Sequence, residues 1–199
     1  MKETLIIAGY QGSDSIHTKS VEHFINAIKF FLEQHPANEE NRSNHEIRLT
    51  FTGYQNSLAV TYQYKKEWSK ALDVFFTLLK GQTNTDVLNS IGYTYNLMSE
   101  EELKKNKNTD LAYIFDLQSL YFYEQADHAL YRNWRSTNQQ LINEAKENKI
   151  YSESWEKDFI KKRENELHQS YWYGCISHNL CQKSLHLHQY AKVLEFGID

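Results

Sequence analysis

The chain has 199 residues, of which 40% are hydrophobic and 24% charged, enough to bury one real core and too apolar for a disordered chain. A net charge of −4 with histidines neutral argues against a general nucleic-acid binder, which would carry a basic stripe. One proline and seven glycines favour long helices over many short strands.

In chain order, Thr4-Leu5-Ile6-Ile7-Ala8-Gly9 is a short apolar run ending in glycine and predicts a buried strand. A polar loop follows, Tyr10 to Ser15, in which Ser13, Asp14 or Ser15 can cap a helix. Val21, Phe24, Ile25, Ile28 and Phe31 recur at helical spacing, and His35-Pro36 ends that helix. Ile47-Arg48-Leu49-Thr50-Phe51-Thr52 alternates with period two, like a half-buried strand. The expected N-terminal element is therefore strand, helix, strand, a small parallel β-α-β over residues 1–53.

From Gly53 onward the pattern predicts helices only, over residues 54–199. One spans about Tyr54–Lys65 and a second about Glu67–Leu79, closed by Gly81. Asn84, Thr85 or Asp86 caps the next, about Val87–Met98, and Ser99 with Glu102 reads as a capping box for a short helix. Asn108-Thr109-Asp110 starts a long helix reaching Lys146, whose segment Leu111–Tyr123 is apolar on nearly every side, the mark of central packing. A final helical segment carries Trp155, Phe159, Leu167, Tyr171 and Cys175, with a break expected near Gly174. No secretory signal is legible in residues 1–30, no run suits a membrane span, and Cys175 and Cys181 stand too far apart on a helix for a disulfide. Together these point to a reducing cytoplasm.

One phrase occurs twice. Asn56-Ser57-Leu58-Ala59-Val60-Thr61-Tyr62 returns 33 residues later as Asn89-Ser90-Ile91-Gly92-Tyr93-Thr94-Tyr95, with four identities and small residues at 59 and 92. That period is the mark of stacked helical hairpins. Leu58, Ala59, Tyr62, Ala71, Phe75 and Leu78 form a segment that resembles the tetratricopeptide repeat family, and Ile91, Gly92 and Tyr95 restart it. Lys104 and Asn108 fall where the second unit would place its small residue and its aromatic. The resemblance, over residues 54–98, implies a helical scaffold that binds a protein or peptide. A weaker likeness covers residues 4–53, where Ile6 to Thr18 looks like the opening strand–loop–helix of TRAP-transporter solute receptors or of flavodoxin-like proteins. It implies anion or ligand contact through Ser13, Ser15 and Thr18 at a helix N-terminus.

Candidates for chemistry are few. Glu164, His168, Cys175, His178, Cys181, His186 and His188 can all ligate zinc, but one continuous helix cannot wrap a metal with them, and an exposed histidine-bearing face is the plainer reading. Cys175 with His178, and Glu124 with His128, are single unspecific pairs. No P-loop, dinucleotide glycines or zinc-protease helix occurs. The expectation is a mainly α protein with helical hairpins and a small N-terminal β-α-β element. Its expected role is non-catalytic binding of a protein or peptide, with Tyr64, Tyr93 and Asn96 as contacts and homo-oligomerisation left open. Neither cofactor nor metal is called for, nor a nucleic-acid or membrane partner. The alternative is a small-molecule or anion binder using the loop at residues 11–18.

Overall fold

The structure, a computed structural model, describes residues 14–36, 44–80 and 84–196. Among them every regular element is helical and no strand occurs. By internal packing the chain divides into two units, Met1–Gln82 and Thr83–Asp199.

In the first unit, α1 (Asp14–Gln34) packs on α2 (His45–Tyr64), and α2 on α3 (Trp68–Leu79). The expected first strand, Thr4–Gly9, lies outside the described residues. The expected second strand, Ile47–Thr52, is instead the first turns of α2. Asn44 starts that helix, its side chain accepting from the backbone N–H of Glu46 at 3.0 Å and of Ile47 at 3.2 Å. Over a longer window Ile47, Phe51, Tyr54 and Leu58 recur at helical spacing. Phe51 stacks on Phe31 of α1 at 6.1 Å between ring centres, with Tyr54 edge-on to the same ring at 5.8 Å. Leu49, which a strand would have placed beside Ile47 and Phe51, is exposed. Six residues of alternation were too short a sample to separate period 2 from period 3.6.

The turn from α2 to α3 uses Lys66 in the left-handed region, φ 59°, with the Lys66 N–H donating to Gln63 O and the Glu67 N–H to Tyr62 O, each at 2.9 Å. Glu67 then pairs with Lys65 and Lys70, both at 2.6 Å, and these hydrogen bonds, Lys65's first, hold its carboxyl below the usual range. Leu58 and Ala59 of α2 and Ala71 and Phe75 of α3 are buried, small residues beside large ones. Gly81 lies outside the described residues.

The second unit begins with α4 (Thr85–Glu101), capped by Asn84 through the N–H groups of Asp86 and Val87. Ser99 does not open a new helix. It is buried within α4, whose C-terminus passes into a π turn at Glu102–Asn106. Lys107 at φ 52° reverses the chain, and Asn108 caps α5 (Thr109–Glu147) through the Leu111 N–H at 3.1 Å.

Helix α5 packs along α4 on one face, with Ala112, Asp116, Ser119, Phe122 and Tyr123 buried. It is not enclosed on all sides as its composition suggests, because Ile114, Leu117 and Tyr121 of the same stretch are exposed. The tightest approach is at Gly92, where a Cβ would stand 2.7 Å from two Tyr123 ring carbons and 3.2 Å from Ser119 O. Ser119 Oγ also donates to Gly92 O at 2.8 Å. Thus Ser119 and Tyr123, rather than Lys104 and Asn108, meet the second copy of the phrase.

The C-terminal part is α6 (Glu153–His168) followed by α7 (Tyr171–Phe196). Trp134 of α5 donates to Arg163 O at 3.2 Å, and Arg163 Nε to Asn138 Oδ1 at 2.9 Å, so α6 is clasped to the far end of α5. The break falls at Gln169-Ser170, with Ser170 Oγ accepting from the Tyr173 N–H at 3.3 Å. Gly174, where the break was expected, is inside α7 with open space around it.

Candidate functional site

Three helices of the second unit line a half-open cavity of about 580 Å³. Tyr93, Asn96, Ser99 and Glu100 reach it from α4 because three- and four-residue steps bring them to one face. His178, Gln182, Lys183 and His186 do the same from α7, and Tyr123 closes it from α5. Its size lies within the roughly 300–1,000 Å³ usual for ligand sites.

The polar floor rests on a buried ion pair. Asp116 of α5 is 0% exposed and accepts from Lys183 Nζ through Oδ1 at 2.6 Å; Lys183 is 5% exposed. The second carboxylate oxygen, Oδ2, lies 3.0 Å from His186 Nδ1 and has no hydrogen-bond partner. Removing two charges from water is costly, and close approach between them offsets that cost. Asp116 stands behind Lys183 and does not itself line the cavity.

On the α4 side, Asn96 Nδ2 donates to Glu100 Oε1 at 3.1 Å, and Lys104 Nζ to Oε2 at 2.9 Å. The Lys104 ammonium in particular holds the Glu100 carboxyl below its usual range, with burial opposing it and Lys183 adding a smaller pull. Burial pushes the Tyr123 hydroxyl well above its ordinary value; a hydrogen bond with Ser119 offsets part of this, and Tyr93 and Glu100 nearby add to it. Tyr123 therefore stays protonated at neutral pH. Asn179 Nδ2 donates across to Asn89 Oδ1 at 3.1 Å, tying α7 to α4. Ser99 is the exception: the residue lines the cavity, and its Oγ is buried without a hydrogen-bond partner.

Of the residues singled out from sequence, Tyr93 and Asn96 come together on this cavity. Tyr64 belongs to α2 in the first unit, is exposed and does not line it. Ser13 lies outside the described residues, as do the side chains of Ser15 and Thr18, whose backbone forms the first turns of α1. Among the described residues no three His, Cys, Asp or Glu side chains converge to hold a metal ion. Of the metal-capable set, only His178 and His186 reach the cavity, while Glu164, His168, Cys181 and His188 are exposed.

Asp116, Lys183, Ser99 and Tyr123 were missed. A signal existed for two of them. Asp116 is the one charged residue in Leu111–Tyr123, and Lys183 is the one Asp, Glu, Lys or Arg between Glu166 and Lys192. A lone acid in an apolar stretch and a lone base in an otherwise uncharged stretch call for each other.

Comparison of the chain with protein-family models, with curated proteins and with solved structures finds no match.

Proposed function

We propose that the protein is a non-catalytic binding module of helical-repeat character that receives a segment of a protein partner in the cavity among α4, α5 and α7. The observation that carries this reading is Ser99. A buried hydroxyl without a partner is costly to a folded protein, and its place on the wall of a preformed cavity makes sense if a ligand completes it. Tyr93, 46% exposed at the rim, offers the amphipathic ring common at recognition surfaces, and Asn96 stands one turn further along α4.

The tetratricopeptide-like reading draws support from the two copies of the repeated phrase. Ala59 and Gly92 are both buried. Thr61 Oγ1 donates to Ser57 O, and Thr94 Oγ1 to Ser90 O, each at 2.8 Å. Each copy lies on the first helix of a hairpin, α2–α3 and α4–α5. The proposed compartment is the cytoplasm, consistent with Cys175 and Cys181 being free thiols.

Catalysis is the weaker reading. Ser99, His186 and Asp116 are the residue types of a hydrolytic triad, but neither Ser99 Oγ nor Asp116 Oδ2 makes a hydrogen bond. The relay from orienting acid to base to nucleophile is not assembled.

The test is site-specific photo-crosslinking in cells, with the crosslinker at position 93 of the full chain and at exposed Ile150 as control. The expected result is a discrete protein adduct from position 93 alone, lost when Asn96→Ala is added. The same adduct from both positions, or none at 93, contradicts the reading.

A further inference from the structure

We infer that the chain pairs with a second copy of itself through one exposed face of α5, the two helices running antiparallel. This surface goes beyond the binding-module reading and lies on a different side of the helix from the cavity.

The face is apolar where contact with water favours polar residues. Ile114, Leu117 and Tyr121 are 51%, 43% and 53% exposed, and Tyr113 and Leu120 flank them, half-buried. A single exposed apolar residue is ordinary, but five gathered on one side of a helix mark an interaction surface. The contacts of α5 within the fold lie across the helix from them. At roughly 100° per residue, Ala112, Asp116, Ser119, Tyr123 and Ala126 turn the opposite way. These are buried, on the side packed against α4 and α7.

The stripe has the alternating three- and four-residue spacing of a coiled-coil seam: Lys107, Asp110, Ile114, Leu117, Tyr121 and Glu124. Its middle is apolar and its ends are charged. Lys107, in the turn that opens α5, is exposed, as are Asp110 and Glu124.

Charge decides the direction of pairing. In a parallel pair each residue meets its twin, so Lys107 faces the partner's Lys107, Asp110 the partner's Asp110 and Glu124 the partner's Glu124. All three contacts are repulsive. An antiparallel pair with its two-fold axis between Phe115 and Asp116 sets Lys107 opposite the partner's Glu124 and Asp110 opposite the partner's Tyr121, whose hydroxyl can donate to it. Ile114 then meets the partner's Leu117, and Tyr113 stands beside the partner's Leu120. The two-fold repeats every contact, so both copies of the stripe are covered and the assembly closes at two. So short an apolar middle offers less than the roughly 800 Å² per partner of a standard interface, and the dimer therefore exchanges with monomer.

The experiment is sedimentation equilibrium of the full chain over a range of concentrations at low salt. The expected result is a reversible monomer–dimer equilibrium. Leu117→Glu should leave only monomer, with an unchanged helical signal, because position 117 is exposed in the monomer. Ile150→Glu, at an exposed apolar residue outside the stripe, should dimerise like the parent. Lys107→Glu and Glu124→Lys should each weaken the dimer by roughly tenfold, since each turns two attractive pairs repulsive. Combining the two reversals in one chain should restore the parent's affinity. A parent that stays monomeric at its highest soluble concentration, or a dimer that survives Leu117→Glu, overturns the inference. Dimerisation indifferent to the single charge reversals also overturns it, by excluding the antiparallel register. So does a different protein held through Leu117 by a parent that remains monomeric.

Discussion

A methyl group at position 92 has no room. Its nearest neighbours would be two ring carbons of Tyr123 at 2.7 Å, and that ring is almost wholly buried. Alanine is the better helix former by about 1 kcal/mol, but overpacking at a site that cannot yield costs about 1–3 kcal/mol. Gly92→Ala should therefore lower the denaturation midpoint, whereas an unchanged or raised midpoint would place Tyr123 elsewhere. Ser99→Ala should act in the opposite sense without ligand. It removes a buried hydroxyl that bonds to nothing, so unfolding free energy should be unchanged or higher by up to about 1 kcal/mol. A loss of 2 kcal/mol or more by the same measurement would mean that the hydroxyl has a structural partner. These residues differ in how readable they were. Gly92 stood out through its likeness to Ala59 in the repeated phrase, whereas Asp116 and Lys183 were missed although each is isolated among uncharged neighbours. Ser99 was misread because a serine three residues before a glutamate is also a capping pattern.

At the level of elements, helix existence was legible and helix limits less so. Asn84 and Asn108 each begin a helix by accepting from backbone N–H groups, as their sequence suggests, and Asn44 does the same ahead of a stretch that reads as a strand. The strand expected over Ile47–Thr52 failed because local alternation competes with the wider 3.6 period that Phe31 of α1 selects by packing on Phe51 and Tyr54. Asn44→Ala should cost about 1 kcal/mol and fray the first turn of α2. Backbone chemical shifts check both points: helical values through residues 47–52 are expected, and extended values would restore the strand. Gly174 misled in a different way. Glycine marks a helix end only where a positive φ or close contact demands it, and position 174 shows neither.

For the whole molecule, 33-residue self-similarity pointed to helical hairpins, and the chain folds as helices in two units. The cavity was not legible at that scale, because it joins α4 to α7 across some ninety residues of sequence, the separation seen in the Asn179–Asn89 bond. Acid should act on both units. The Glu67 and Glu100 carboxyls are held below their ordinary value of 4.5 by the lysines beside them, so the stability they lend is present above that value. It is lost as pH falls through their depressed values. Both groups are substantially solvated, so the effect is small. The Glu67→Gln, Glu100→Gln double variant should show a shallower fall in melting temperature below about pH 4.5 than the parent, and an identical fall would show that neither lysine holds its partner.

The site as described depends on α7 being held to α5 by Lys183 and Asp116. A double-mutant cycle in the full chain, with Asp116→Asn, Lys183→Met and both together, measures that contact by chemical denaturation. Each single change should cost about 3 kcal/mol or more by leaving the other group buried and unmatched, and the double variant should recover much of the loss. Additive costs with no coupling would mean that the two side chains do not meet, and the cavity they support would go with them.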